Sequence, residues 1–171
     1  GRMDVPLNSI GIHQAEECGQ FFKASQWDII ITSPLKRARL TAEIINRSLF
    51  IPLVEMNELK EKCFGDAEGM TFHERCTAFP DHIYPNQEDE STLTIRVMSA
   101  LDKIKQQYGD SKVLLVAHGA VINSILAHLS NGELGFGKTK LKNACISDIH
   151  FDQEQWKVKT FNQVSHLTQN K

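Results

Sequence analysis

Apolar residues along the chain follow two alternating periods, and the alternation predicts an ordered series of elements. Ala15, Cys18 and Phe22, with Phe21 beside them, recur at helical spacing between Ile10 and Ala24, with Asn8 or Ser9 placed to cap that helix. Trp27 to Thr32 is a short β-branched run that reads as a strand. Ser33 reads as an N-cap with Pro34 in the first helical position, and Leu35, Ala38, Ala42, Ile45 and Leu49 mark the apolar stripe of the helix they open. Pro52 to Met56 reads as a second strand. Glu58 to Met70 is a charged loop punctuated by Gly65 and Gly69, followed by a predicted helix near Thr71–Ala78 and an irregular stretch containing Pro80 and Pro85. Leu93, Val97, Ala100, Leu101, Ile104 and Tyr108 predict a long helix with Gly109 as its C′ residue. Lys112 to Ala117 is the most apolar strand, expected to be central and buried on both faces. Val121, Ile122, Ile125, Leu126 and Leu129 give the next helix, and Cys145–Phe151 and Trp156–Phe161 are strand-like runs around a polar turn. Strands alternating with helices argue for an α/β fold: a mainly parallel sheet covered on both faces. One domain spanning 1–171 is expected, without repeats or low-complexity tracts.

Two junctions in this pattern carry candidate chemistry. The run Val113–Val116 ends at Ala117-His118-Gly119 and then turns helical, and the run Ile29–Thr32 ends at Ser33-Pro34-Leu35-Lys36-Arg37. Ligands of open parallel sheets bind at carboxyl ends of strands, and helix N-termini offer free N–H groups and a positive dipole end to anions. Arg37 and His118 brought together there would hold a phosphoryl group, and Gly119 would let a phosphate oxygen approach its N–H. Arg39, two residues on, points away and reads as solvated. Glu61 and Glu68 lie in the glycine-punctuated loop, where a carboxylate beside an anion site can serve as general acid. The remaining histidines, His13, His73, His82, His128, His150 and His166, read as structural or solvated. Gly132 to Thr139 matches the phosphate-loop pattern G-x-x-x-x-G-K-[ST], but a predicted helix precedes it where the mechanism needs a strand, so it reads as a polar loop.

Composition narrows the functional classes. A net charge of −2 over 171 residues gives no global field for nucleic acid or anionic membranes. Apolar residues make up 41% of the chain, enough for a real core, while no apolar run approaches the roughly 18 residues of a membrane span. Cys18, Cys63, Cys76 and Cys145 are scattered without a C-x-x-C pair, which argues for reduced thiols, against a zinc site, and for a cytoplasmic location. No metal is expected.

The blocks Asp4-x-Pro6-Leu7-x3-Gly11-x2-Gln14-Ala15, Ser33-Pro34-Leu35-x-Arg37-Ala38-x2-Thr41-Ala42, Leu59-x-Glu61-x3-Gly65-x2-Glu68-Gly69 and Val116-Ala117-His118-Gly119 occur in order along the chain. With them the chain resembles the histidine phosphatase superfamily, also called phosphoglycerate mutase-like, and most of all its small bacillary phosphatases of broad specificity. The resemblance implies a three-layer αβα sandwich and a two-step, cofactor-free reaction on small phosphomonoesters through a phosphohistidine. Arg37 and His118 would bind phosphoryl oxygens, with Gly119 alongside, and Glu61 would be proton donor to the leaving group. A phosphoglycerate mutase of the same family, or a non-catalytic binder of phosphorylated ligands, is the alternative. The family's nucleophile belongs to an Arg-His-Gly motif, and none occurs in these residues. That motif is therefore expected on a strand upstream of Gly1, central in the sheet, and the domain is expected to be N-terminally incomplete. A sheet without that strand would leave apolar faces and strand edges unpaired.

Overall fold

A computed structural model describes residues 1–168; the last three residues of the expected single domain lie outside the described part. The chain order is α1 (Ser9–Phe22), β1 (Ile29–Thr32), α2 (Lys36–Leu49), β2 (Leu53–Glu55), 3-10 turns at Asn57–Leu59 and Gly65–Ala67, α3 (Phe72–Ala78), α4 (Glu90–Tyr108), β3 (Val113–Val116), α5 (Gly119–Leu129), β4 (Ile146–Asp152) and β5 (Gln155–Gln163). The first three strands form a parallel sheet in the order β2-β1-β3, and β4 and β5 form a separate antiparallel hairpin. Alternating side chains send Ile29 and Ile31 to one face of the sheet and Ile30 to the other. Ile29 and Ile31 pack with Leu93, Val97 and Leu101 of α4 and Val121 and Ile125 of α5. On the opposite face Ile30 and Leu114 meet Cys18 and Phe22 of α1 and Ala42 and Ile45 of α2. Helices thus cover both faces, giving the three layers that the alternating pattern predicts.

Local chemistry accounts for several element ends. Asn8 caps α1 by accepting the Gly11 N–H through Oδ1 at 2.9 Å. Thr71 and Glu74 form a reciprocal capping box on α3. Gly109 ends α4 in ordinary right-handed conformation, at φ −43°, so it supplies no left-handed cap.

Among the described residues the sheet order differs from one expectation, since β3 has a strand on one side only. All four residues of β1 are buried and β1 is central; in β3 only Leu114 is fully buried. Among the described residues β3 pairs with β1 alone, in the register Ile29–Val113 to Thr32–Val116. An apolar run reports that a strand's faces are buried, but which strands flank it is a tertiary matter. The far edge of β3 faces a cleft of about 1870 Å³ whose other wall includes β4, from Ile146 to Phe151.

Candidate active site

Parallel register explains why the two predicted junctions meet. Thr32 pairs with Val116 at the carboxyl ends of β1 and β3, so the next residues of each strand leave the sheet side by side. The Ser33 N–H donates to the Val116 carbonyl at 3.0 Å, extending the ladder by one bond. Beyond it the His118 ring Nε2 and the Ser33 hydroxyl share a hydrogen bond of 2.7 Å. Ser33 is fully buried, and its Oγ also accepts the Leu35 N–H at 3.3 Å. This revises the role of Ser33: α2 begins at Lys36, its N-cap residue is Leu35, and Leu35 makes no side-chain cap. The capping acceptor comes from elsewhere in the chain, because Asp4 Oδ1 accepts the Lys36 N–H at 2.6 Å.

His118 occupies the N-cap position of α5 in extended backbone conformation. It is 6% exposed. Burial, reinforced by the nearby Arg37 charge, pushes its pKa down to about 3, so the imidazole is neutral at physiological pH. Gly119 follows as the first residue of α5, and a Cβ built there would meet no atom within 4 Å. The space beside this backbone is open to the cleft.

Glu61 reaches the same helix start from the acidic loop. Its carboxylate accepts the Lys62 N–H at 2.9 Å and, through the other oxygen, the Ala120 N–H at 3.3 Å. The Glu61 carboxylate therefore lies against the first turn of α5, within two residues of His118 along the chain. Glu68, the other acidic candidate, accepts backbone N–H groups from Phe64 at 2.8 Å and Arg2 at 2.8 Å. Burial raises its pKa, but these bonds outweigh burial and hold it below the ordinary glutamate range. Its carboxylate ties the loop to the N-terminal segment.

Arg37 sits in the first turn of α2 and donates to the carbonyls of Met3 at 2.8 Å and Gly1 at 2.7 Å. Arg37, Glu61, His118 and Gly119 all line the one cleft. A second arginine, Arg75 of α3, lines it too; its buried Nε has no hydrogen-bond partner and its guanidinium stands 5.3 Å from the Phe64 ring centroid. Arg39 instead pairs with Glu43 and Glu55, in line with a solvated role. The loop matching the phosphate-loop pattern follows α5 and has no strand before it, as the polar-loop reading requires. His166 lines the cleft too, but its ring contacts Cys18 and the Ala144 carbonyl. Among the described residues no three His, Cys, Asp or Glu side chains are grouped to hold a metal ion, and no helix is long and apolar enough to cross a membrane.

Residues 1–164 match the model of the histidine phosphatase superfamily, branch 1. The chain is 51% identical over 168 residues to the uncharacterized phosphatase PhoE of Bacillus subtilis, covering 98% of this chain and 87% of that protein. It is 27% identical to the probable phosphoglycerate mutase GpmB of Photorhabdus laumondii, covering 98% of this chain and 86% of that one. Among solved structures it superposes on Bacillus stearothermophilus YhfR with a TM-score of 0.90 at 26% identity, covering 97% of this chain and 89% of that one.

Proposed function

Since this chain belongs to the histidine phosphatase superfamily, we propose that it hydrolyses small phosphomonoesters with Arg37, Glu61, His118 and the Gly119 N–H as its working parts. The observation that carries the reading is the convergence at the start of α5. A neutral, buried His118, an unencumbered Gly119 backbone and the Glu61 carboxylate share one helix N-terminus, with Arg37 lining the same cleft. Arg37 and the α5 N-terminus would stabilise charge on the equatorial oxygens of the transferring phosphoryl group. As the nucleophilic histidine nitrogen forms the P–N bond, the ester P–O bond breaks and Glu61 would protonate the released oxygen. In the second step, water attacks the phosphohistidine, Glu61 accepts its proton, and the P–N bond breaks to release inorganic phosphate.

The nucleophilic histidine belongs, in this reading, to a strand preceding Gly1 that pairs between β3 and β4. What supports this is the sheet itself: β3 presents an unpaired edge to the cleft, β4 lines the facing wall, and Ile122 and Leu126 of α5 line it between them. An exposed strand edge beside apolar walls is a template for one more strand. The resulting domain would join the parallel sheet and the hairpin into one. The same reading places the enzyme in the cytoplasm, where its four free thiols would stay reduced.

The test is acid-labile phosphoryl labelling of the intact enzyme. A phosphoramidate that passes its label to water, with broad release of phosphate from small monoesters, is the expected result. Return of the label to substrate, with 3- to 2-phosphoglycerate turnover exceeding phosphate release, would make it a mutase. No label at all would make it a binder of phosphorylated ligands.

A further inference from the structure

Glu61 lies on a segment with little regular structure: beyond two short 3-10 turns, no strand ladder or α-helix fixes residues 56–70. A general acid nevertheless needs its carboxyl held to a fraction of an ångström. The backbone around Glu61 is held by charged side chains from elsewhere, together with one backbone bond, the Glu88 N–H donating to the Cys63 carbonyl at 2.9 Å. Arg96 Nη1 donates to the Glu58 carbonyl at 2.6 Å and the Lys60 carbonyl at 2.8 Å. Arg2 Nε donates to the Glu61 carbonyl at 3.0 Å. On the other side of Glu61, the Cys63 N–H donates to Glu88 Oε2 at 3.2 Å. Glu88 and Arg96 are themselves joined by a bidentate pair, Nε to Oε1 and Nη2 to Oε2, each 2.8 Å, and Arg2 Nη2 approaches the same Glu88 Oε2 at 3.4 Å.

The pair has a rigid base. Arg96 stands on α4 between Leu93 and Val97, both fully buried, and Glu88 lies just before Asp89, the N-cap of that helix. Its side chains are 18% and 8% exposed. Burial works against the Glu88 charge, but the Arg96 and Cys63 hydrogen bonds outweigh it and keep the pKa below the ordinary glutamate range. Gly65 lets the strand of chain bearing Glu88 come this close: at φ +55° a Cβ there would stand 2.1 Å from the Pro85 carbonyl oxygen.

We propose that the Arg96–Glu88 pair is a positioning clamp for the proton donor, transmitting the fixed frame of α4 to the backbone on both sides of Glu61. This rests on the reading of Glu61 as the acid. The clamp touches no reacting atom. Its loss would displace Glu61 while leaving Arg37 and His118 in place, because neither of them bonds to it. The signature is selectivity for the leaving group: an alkoxide needs a proton to depart, and p-nitrophenolate does not.

The experiment compares Arg96→Lys and Glu88→Gln with Glu61→Gln in the intact enzyme. Arg96→Lys keeps the charge and loses the fork that reaches carboxylate and carbonyls together. The expected result is a fall in kcat of about 10- to 100-fold for glycerol phosphate and under about threefold for p-nitrophenyl phosphate, with KM little changed. Amide hydrogen exchange should quicken at Lys62 and Cys63 while β1 and α5 stay protected. Equal losses on both substrates, or none, would overturn the clamp, since a merely structural role would lower both together. A Glu61→Gln variant that shows no leaving-group preference would sink the donor assignment instead. The exchange rates would then decide the clamp by themselves, unchanged protection at Lys62 and Cys63 refuting it.

Discussion

The two walls of the cleft hold their functional groups by different means. His118 is positioned by regular structure: a parallel ladder brings β3 beside β1, α5 starts at the next residue, and one buried serine fixes the ring. Glu61 is positioned by side chains reaching across to loop backbone from α4 and from the N-terminal segment. A ladder is redundant, so a single substitution removes a small part of what holds His118. The loop of Glu61 has fewer such bonds: besides the Arg96–Glu88 pair and the Cys63 N–H, only Arg2, which reaches Glu88 at 3.4 Å, and the Glu88 N–H, which donates to the Cys63 carbonyl at 2.9 Å, join Glu88 to its surroundings among the described residues. On the proposed reading, the His118 side would be the more tolerant of substitution and the Glu61 side the more fragile.

The largest expected effect tests the rigid wall at its charge. Arg37→Ala should lower kcat/KM on the order of 10²-fold or more for every monoester, because the lost interaction is with the phosphoryl group common to all. Steady-state kinetics on an alkyl and an aryl phosphate would check it. A loss confined to one leaving group would mean that Arg37 recognises the leaving group and not the phosphoryl oxygens.

Glu61→Gln sharpens the contrast from the other side. It should cost about 10²-fold or more with glycerol phosphate and much less with p-nitrophenyl phosphate. Equal losses with both esters would count against Glu61 as donor.

Ser33→Ala asks how redundant the rigid wall is. The variant removes one hydrogen bond from a buried imidazole while the ladder and helix start remain, so a cost of about 1–2 kcal/mol in stability and roughly tenfold in kcat is expected. Chemical denaturation and kinetics on one purified sample would measure both. A hundredfold loss of activity would show that the serine, and not the ladder, holds the ring.

A further prediction leaves catalysis aside and concerns pH-dependent stability. His118 has a folded pKa of about 3 against an ordinary 6.5, so below pH 6.5 the unfolded chain binds a proton that the folded chain refuses. Its contribution to stability is complete above 6.5 and falls as pH drops toward 3, by a few kcal/mol at most, on the order of 1.4 per pKa unit. Denaturation midpoints between pH 7 and 4 should decline less steeply in His118→Gln than in the parent protein. Parallel slopes would mean that the histidine is not buried as a neutral ring.

How much was legible depended on the range of the interactions involved. The junction Val113–Gly119 carried its own signal, an apolar strand ended by a polar residue and a glycine, and the structure places a strand end and a helix start there. The serine at the end of β1 was equally visible, and local pattern assigned it the wrong partner. Ser before Pro reads as an N-cap by local statistics, but register against β3 offered Ser33 a buried imidazole, and Asp4 took over the cap from about thirty residues away. Arg96 and Glu88 carried no signal at all. On the sequence they are one charge in a long helix and one in an irregular acidic stretch, and only packing brings both to the backbone flanking Glu61.

By itself the sequence determined the period of each segment, the layered α/β class, and the residue types able to bind and protonate a phosphoester, since these follow from side-chain chemistry and spacings of two to four residues. Tertiary structure alone decided that β1 lies between β2 and β3, that Ser33 bonds His118, and that Arg96 of α4 reaches the loop of Glu61. Each of those outcomes rests on contacts between residues tens of positions apart. Periodicity shows which face of an element is buried; it carries no information on which neighbour buries it.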